Sequence, residues 1–488
     1  MGIIGGGAAG LTAASGAAQL GAKIVLIEKE PQLGGDCLHY GCVPSKTLIK
    51  SARLYHQMKQ ADRYGLPRID VPTVDFRRIA ARIREVIAVI QEHDSEERFC
   101  RLGAKVEFGR AVFSDEHTVT LDGRSFNAAK WLIATGSSAA VPPIPGLREI
   151  DYLTNRDIFS LERLPASMIV LGAGPIGIEM AQAFTRLGSA VSVVDKAEQI
   201  LSKEDADMAA TTQQALEAEG VRFHLGASIE KVSGTQATKR VTITDADGKR
   251  LDLAGEAVLV AMGRSANVQN LGLDAIGVAF DRFGVEVDAR LRTSRKHIFA
   301  AGDASGGYQF THAAGYEGGV VVSNAIVRLP RKVNYTWLPW CTFVDPELAS
   351  IGTNERTARE KGIEHSVWIE EFKDNDRSLA EAQTTGRIKM ILDGGERPLG
   401  VQILGARAGD LISEWVALLN GGVKLSTLAS AIHPYPTLGE INKKVAGSFF
   451  SPKIFSERVR KGLKLFFSLK GRACTPMECE DEAEPPPH

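Results

Sequence analysis

Two cysteines stand five positions apart in the stretch GGDCLHYGCVPSK, residues 34–46. The whole chain has six cysteines in 488 residues, too few for a disulfide scaffold. A close pair such as Cys37 and Cys42 therefore points to catalysis or to metal binding. A second pair, Cys474 and Cys479, repeats the spacing in the acidic, proline-ended stretch GRACTPMECEDEAEPPPH. Cys100 follows a phenylalanine in the stretch VDFRRIAARIREVIAVIQEHDSEERFCRLG, residues 74–103, whose pattern predicts a helix, and Cys341 sits in an apolar strand-like run. Both read as small buried hydrophobes.

The segments around the first pair say what must position it. The chain opens MGIIGGGAAGLTAASGAAQLGAKIVLIEKE. A short apolar strand runs into Gly5, Gly7 and Gly10, then an alanine-rich helix, then a strand ending at Glu28. Glycines there permit a tight turn and bring backbone N–H groups up to a pyrophosphate at the helix N-terminus. Glu28 is placed to accept hydrogen bonds from a ribose. So few residues precede these glycines that further chain is expected upstream. The design returns 167 residues later in SMIVLGAGPIGIEMAQAFTRLGSAVSVVDKAEQ, with Gly172, Gly174, Gly177 and the acid Asp195. An internal repeat of this kind predicts two dinucleotides. Asp195 favours a free 2′-hydroxyl and hence NADH; Lys196 beside it softens that preference and keeps NADPH open. A nicotinamide and a flavin are the natural pair for an electron relay.

Composition bounds the rest. A chain of this length predicts about three domains. The formal net charge is −1, which gives no broad footprint for nucleic acid. No apolar run approaches the ~20 residues of a membrane span, and no secretory leader precedes the first glycines. The expectation is a soluble cytoplasmic protein.

With the glycine turns in place, G-G-x-C-x-x-x-x-C-x-P-S-K resembles the redox centre of the class I pyridine nucleotide-disulfide oxidoreductases. The stretches WLIATGS (131–137) and VLVAMGRSAN (258–267) look like that family's two domain-crossing strands, and HIFAAGDA (297–304) like its second flavin motif. The resemblance covers nearly the whole chain. It implies an α/β fold of glutathione reductase type: two Rossmann-like dinucleotide-binding domains, for FAD and NAD, and a C-terminal α+β dimerisation domain. The expected limits are 1–147 and 269–332 for the FAD domain, 148–268 for the NAD domain, 333–452 for the interface domain, and 453–488 for a basic helix and acidic tail. The implied assembly is a homodimer. Asp303 would bind the flavin ribityl chain. Lys29, Gly35, Ala111, Thr135, Gly136, Ser137, Val232, Gly263, Arg264 and His312 fall on the remaining cofactor-binding positions that the resemblance implies.

The resemblance also assigns chemistry to the pair. Cys42 would face the flavin and Cys37 the substrate, joined as a redox-active disulfide. Such a bond needs Cα atoms ~4.4–6.8 Å apart, whereas five residues of straight helix rise about 7.5 Å. The segment must therefore bend, as Gly41 would allow. Lys46 would lie near the flavin, paired with Glu179. A zinc site is the rival reading, but it needs about four ligands, and no further Cys or His pair has suitable spacing.

One motif departs from the pattern. Many family members end in His-Pro-Thr-x-x-Glu, supplied across the dimer for proton transfer to a leaving thiol. This chain reads SAIHPYPTLGE, so Tyr435 fills the histidine slot ahead of Glu440, and His433 lies two residues earlier. Tyrosine, with a pKa of ~10, is a poor base at neutral pH. Mercuric reductases share that tyrosine. The expected substrate is thus a thiol-bound soft metal ion held transiently by Cys37 and Cys42, with a small disulfide or lipoamide as alternatives. His433 would take the acid role if the loop shifts. Cys474 and Cys479 read as exposed thiols or as a metal relay. A flavoprotein redox sensor with slow turnover is the reading from another class. Finally, SERVRKGLKLFFSLKGR places Val459, Leu463, Phe466 and Phe467 on one helical face among basic residues. It is expected to cap the dimer, with a membrane-surface role as the alternative.

Overall fold

The computed structural model describes residues 1–469. Its first layer is a five-stranded parallel sheet in the order Ile298–Ala300, Trp131–Ile133, Gly2–Ile4, Ile24–Glu28, Ala104–Phe108. Gly2–Ile4 pairs in register with Val25–Ile27 on one side and with Trp131–Ile133 on the other. The strand order therefore reverses around the opening strand, and its carboxyl end forms the crevice where such sheets bind ligands. The helix Ala8–Gln19 starts there and buries its alanine face. Small residues let it lie close to the helix Thr311–Val322, where Gly318 approaches the Ala9 carbonyl so tightly that an added Cβ would sit 2.6 Å from it.

The second parallel sheet follows the same logic, with the order Arg222–His224, Ala190–Val194, Ser167–Leu171, Ala257–Val260. Pro175 opens its helix at the first turn, where a missing N–H costs nothing, and Gly188 closes it in a left-handed conformation. Ser137–Ala139 pairs antiparallel with Arg264–Ala266, joining the two segments that carry the chain between the sheets. Thr135 and Asn267 fasten this junction: the Thr135 hydroxyl donates to the Asn267 carbonyl at 2.7 Å, and the Asn267 amide returns a bond to the Thr135 carbonyl at 3.0 Å. The third unit is an antiparallel sheet, Pro339–Thr342, Glu347–Gly352, Pro398–Gly405, Arg387–Asp393 and His365–Glu371, packed on helices around the buried Trp415.

Three expectations need correction. The run 74–103 is not one helix. It breaks into Phe76–Gln91, a short 3-10 turn at Glu92–Asp94, and Glu96–Arg101, because Ser95 caps the last piece by accepting from the Arg98 N–H. That break turns Phe99 into the core and leaves Cys100 exposed, so Cys100 is not a buried hydrophobe. The basic segment forms a helix only over Glu457–Phe467 among the described residues. Cys474 and Cys479 lie outside the described residues.

Candidate active site

The two glycine turns are built alike. Gly5 and Gly172 adopt φ +110 and +111, and Gly10 and Gly177 each come so near that an added Cβ would lie 1.9 Å from the Gly5 or Gly172 carbonyl oxygen. Only glycine tolerates either position. The acids close the turns: Glu28 accepts from the Gly6 N–H at 2.6 Å and from Glu30 at 2.8 Å, while Asp195 accepts from Ala173 at 2.6 Å and Ala197 at 2.8 Å. Each carboxylate is thereby fixed at the edge of its turn with lone pairs left for ribose hydroxyls. In the first turn, Gly7 and Gly35 press together, since a Cβ on Gly35 would sit 2.7 Å from the Gly7 Cα. This brings the cysteine segment onto the floor of the first dinucleotide crevice.

The cysteine segment is bent, as bridging requires. Cys37 lies within the short helix Gly35–His39, and Cys42 is the first residue of the helix Cys42–Lys59, with Gly41 at the elbow. A side chain at Gly41 would meet the Asp36 carbonyl at 3.0 Å and the Cys37 Cα at 3.3 Å. The structure holds the pair as free cysteines, not as an S–S bridge. The Cys37 thiol donates to Cys42, and that bond, with burial, pushes the Cys37 thiol well above its ordinary value. Cys42 is pulled down to about 6, first by the bond from Cys37, then by Thr311 and the charge of Lys46, against burial and Glu179. Cys42 also opens an 18-residue helix at its positive end. These opposite directions favour the proton of the pair on Cys37 and the negative charge on Cys42.

Thr311 was not among the sequence candidates. Its hydroxyl lies 3.3 Å from the Cys42 sulfur, 269 residues away along the chain. Only its place beside His312, at the start of the helix behind the flavin-like motif, hinted at it. A hydrogen bond to a charged group is worth roughly 1.5–3 kcal/mol, about one pH unit or more. Thr311→Val should raise the midpoint of Cys42 thiolate formation by about one unit, read from the ultraviolet thiolate absorbance of the reduced protein.

Lys46 points to Glu179, as expected, at 2.8 Å; Glu179 is buried, and its other oxygen accepts from the Phe343 N–H at 2.9 Å. Lys46 also sits 4.4 Å above the Phe343 ring. Asp36, the residue before Cys37, is held by Arg264 at 2.9 Å and by the Asn155 amide at 3.0 Å, and that amide also reaches the Tyr40 carbonyl at 3.1 Å. Arg264 continues to Ser137 at 2.7 Å and lies 3.7 Å from Asp303. Burial raises the Asp303 carboxyl, while its bond from Ser137 and the Arg264 charge oppose this. Asp36 and Asn155 were also missed by the sequence reading.

Other candidates lie apart from this cluster. Val232 is buried in the core of the second sheet unit, its N–H spent on Pro145 at 2.8 Å. Ala111 is buried beside Ile4 and Ile27. Gly136 and Gly263 occupy left-handed turns at the junction, and Lys29 is exposed. His312 directs its ring to the Pro339 carbonyl at 2.8 Å. In the C-terminal loop, Tyr435 is 71% exposed and its hydroxyl donates to Asp376 at 2.9 Å, which raises its pKa further. Glu440 reaches the Thr437 N–H at 3.4 Å, and His433 pairs with Glu414 at 2.9 Å. Neither contacts the Tyr435 hydroxyl. Among the described residues no cluster of three or more His, Cys, Asp or Glu side chains has the arrangement of a metal site.

Paired glycine turns closed by ribose-reaching acids, with a bent thiol pair on the floor of the first, define a two-dinucleotide flavin oxidoreductase, and the cradle and carboxylates fit FAD and NAD(P)H. The chain belongs to the pyridine nucleotide-disulphide oxidoreductases: that family matches residues 1–318, and its dimerisation domain matches 338–446. Members use FAD and NAD(P)H. The chain is 33% identical over 440 residues to a mercuric reductase of Bacillus cereus, covering 90% of this chain and 69% of that protein. It is also 33% identical to a dihydrolipoyl dehydrogenase of Bacillus subtilis, covering 90% and 96%. Among solved structures it resembles the HOCl-induced flavoprotein disulfide reductase RclA of Escherichia coli, with TM-score 0.82, 28% identity, and 91% and 99% coverage. No helix among the described residues is long and apolar enough to cross a membrane.

Proposed function

We propose that this enzyme is a homodimer that takes electrons from NADH and delivers them through the Cys37–Cys42 pair to a thiol-bound soft metal ion. The observation that carries the choice of acceptor is Tyr435, exposed and donating its hydroxyl to Asp376. A leaving thiolate needs a proton donor that works at neutral pH. A phenol whose pKa is raised above ~10 does not cycle there. Both ring nitrogens of His433 are engaged, Nε2 by Glu414 at 2.9 Å and Nδ1 by the Ala431 carbonyl at 3.4 Å, so it does not replace the missing imidazole. A soft ion needs thiolate ligands and electrons, with no comparable proton step at the acceptor. The likeness to mercuric reductases, and a solved Cu(II) complex of the RclA neighbour, support a metal acceptor.

Glu28, Asp303 and the backbone of the first glycine turn would hold FAD; Asp195 and the second turn would hold NADH. Bound FAD supplies two-electron exchange between the nicotinamide and the sulfur pair. The chain's own residues do the rest. Cys42 is kept as a thiolate by Cys37, Thr311 and Lys46. Cys37 keeps the proton and faces the acceptor, and Asp36 anchors its short helix through Arg264 and Asn155. Opening the disulfide consumes two electrons and one proton, which Cys37 keeps; binding a divalent ion between the two sulfurs returns that proton to solvent, and passage of two electrons to the ion re-forms the sulfur–sulfur bond.

The deciding experiment compares NADH oxidation with Hg(II) or Cu(II) under excess thiol against lipoamide and glutathione disulfide. The metal should be turned over at least about tenfold faster in kcat/KM than either disulfide, and NADH should be preferred to NADPH by a similar factor. Fast turnover of lipoamide with none of metal would overturn the reading of Tyr435.

A further inference from the structure

The helix Glu457–Phe467 has no buried residue. It stands apart from the preceding helix, which ends at Ile454, and Ser456 caps it by accepting from the Val459 N–H at 3.4 Å. It also lies beyond residue 446, where the match to the family's dimerisation domain stops. At 100° per residue, Val459, Leu463, Phe466 and Phe467 share one stripe about a quarter-turn wide. Two of these, Phe466 and Phe467, are 80% and 71% exposed. Arg458 borders the stripe on one side, and Arg460 and Lys464 border it on the other. The eleven residues carry four basic side chains against one acid. That acid, Glu457, is used by Lys461 at 2.8 Å. Among the described residues, Arg458, Arg460 and Lys464 have no acidic partner within salt-bridge distance.

We propose that this helix docks the enzyme on an anionic lipid surface, lying in the interface plane with its phenylalanine stripe in the acyl boundary. The charge distribution selects this occupant. The whole chain has a formal net charge of −1, so the basic fringe is a local concentration on one element. Arginine and lysine flanking an apolar stripe extend to lipid phosphates while their stems follow the stripe inward. A second copy of the same helix would bring an identical positive fringe against this one. An anionic leaflet instead attracts each unpaired basic residue by about fivefold in partition. The enzyme, which has no membrane-spanning helix among its described residues, would thus be held at the surface.

The test is co-sedimentation of the FAD-loaded full chain with vesicles of phosphatidylglycerol and phosphatidylcholine, against phosphatidylcholine alone. The protein should partition at least about tenfold more onto the anionic vesicles, and high salt should weaken it. Arg460→Glu/Lys464→Glu and, separately, Phe466→Ser/Phe467→Ser should each abolish that difference. Both variants should keep the wild-type circular dichroism, solution turnover and dimer mass by light scattering. Equal partition onto both vesicle types would overturn the proposal. So would a Phe466→Ser/Phe467→Ser protein that becomes monomeric, since the stripe would then belong to a second copy of the chain.

Discussion

Replacing Cys42 with serine should lower NADH-dependent acceptor reduction by about 10³-fold or more, some 4 kcal/mol of barrier. A serine hydroxyl does not ionise near neutral pH and cannot close a disulfide with Cys37. The same loss of turnover is expected for Cys37→Ser, but the two variants differ in what they keep. Cys37→Ser retains the Cys42 thiolate, and a serine hydroxyl still donates to it as the Cys37 thiol does. That variant should show the long-wavelength absorbance of a thiolate beside bound oxidised flavin, and Cys42→Ser should not. The band should appear above and vanish below pH about 6, the value to which Cys42 is pulled. The linkage has a definite sign. A thiol lowered from its ordinary value of 9.0 to about 6 contributes stability that is complete above 9 and lost as pH falls through about 6. Cys37→Ala removes the largest single cause of the lowering and should move the midpoint upward. Turnover by Cys42→Ser within tenfold of wild type would end the assignment of Cys42, whatever the acceptor.

The parts of this site that were legible in the sequence are those made within one continuous stretch. Glycine turns, terminal acids and the cysteine pair each declare themselves by spacing, because a tight turn or a bent pair is a local steric requirement. The need for a bend, which Gly41 allows, followed from helix rise once the two cysteines were taken to bridge, and the structure places the elbow there. The Lys46–Glu179 contact spans 133 residues and was reached only through resemblance to a family. Thr311 beside Cys42, Asn155 under Asp36 and Glu414 on His433 leave no local trace, since each is an ordinary polar residue until the fold delivers it.

The errors have the same physics. An apolar period across 74–103 read as one helix because the signal at Ser95, a capping residue ahead of two glutamates, was outweighed by hydrophobic spacing on either side. Once the chain restarts at Ser95, the buried face rotates from Cys100 to Phe99.

Opposite shifts of the Cys42 midpoint are expected from the two members of the buried pair. Lys46→Met removes a positive charge that favours the thiolate, so the midpoint should rise; Glu179→Gln removes a negative charge that disfavours it, so the midpoint should fall. Their stability effects should also differ. Lys46→Met leaves the Glu179 carboxylate with 6% side-chain exposure and only the Phe343 N–H for a partner. Stranding one member of a buried pair costs 3–5 kcal/mol, and the 36% exposure of Lys46 reduces this to about 2 kcal/mol. Glu179→Gln keeps a carbonyl oxygen for Phe343 and leaves Lys46 able to turn to solvent, so its cost should stay near 1 kcal/mol. Thermal unfolding and the thiolate titration, measured on the same two variants, separate these effects. The pair joins three units of the fold, since Lys46 follows Cys42 on its helix, Glu179 stands on the helix behind the second glycine turn, and Phe343 lies between the strands Pro339–Thr342 and Glu347–Gly352 of the antiparallel sheet unit. Turnover of Lys46→Met should therefore drop by about 10²-fold even where the protein remains folded, because the thiolate and the helix that presents it lose their tether together. If both variants shift the midpoint in the same direction, electrostatic control of Cys42 by this pair is wrong, and packing around Phe343 must set the sulfur's ionisation instead.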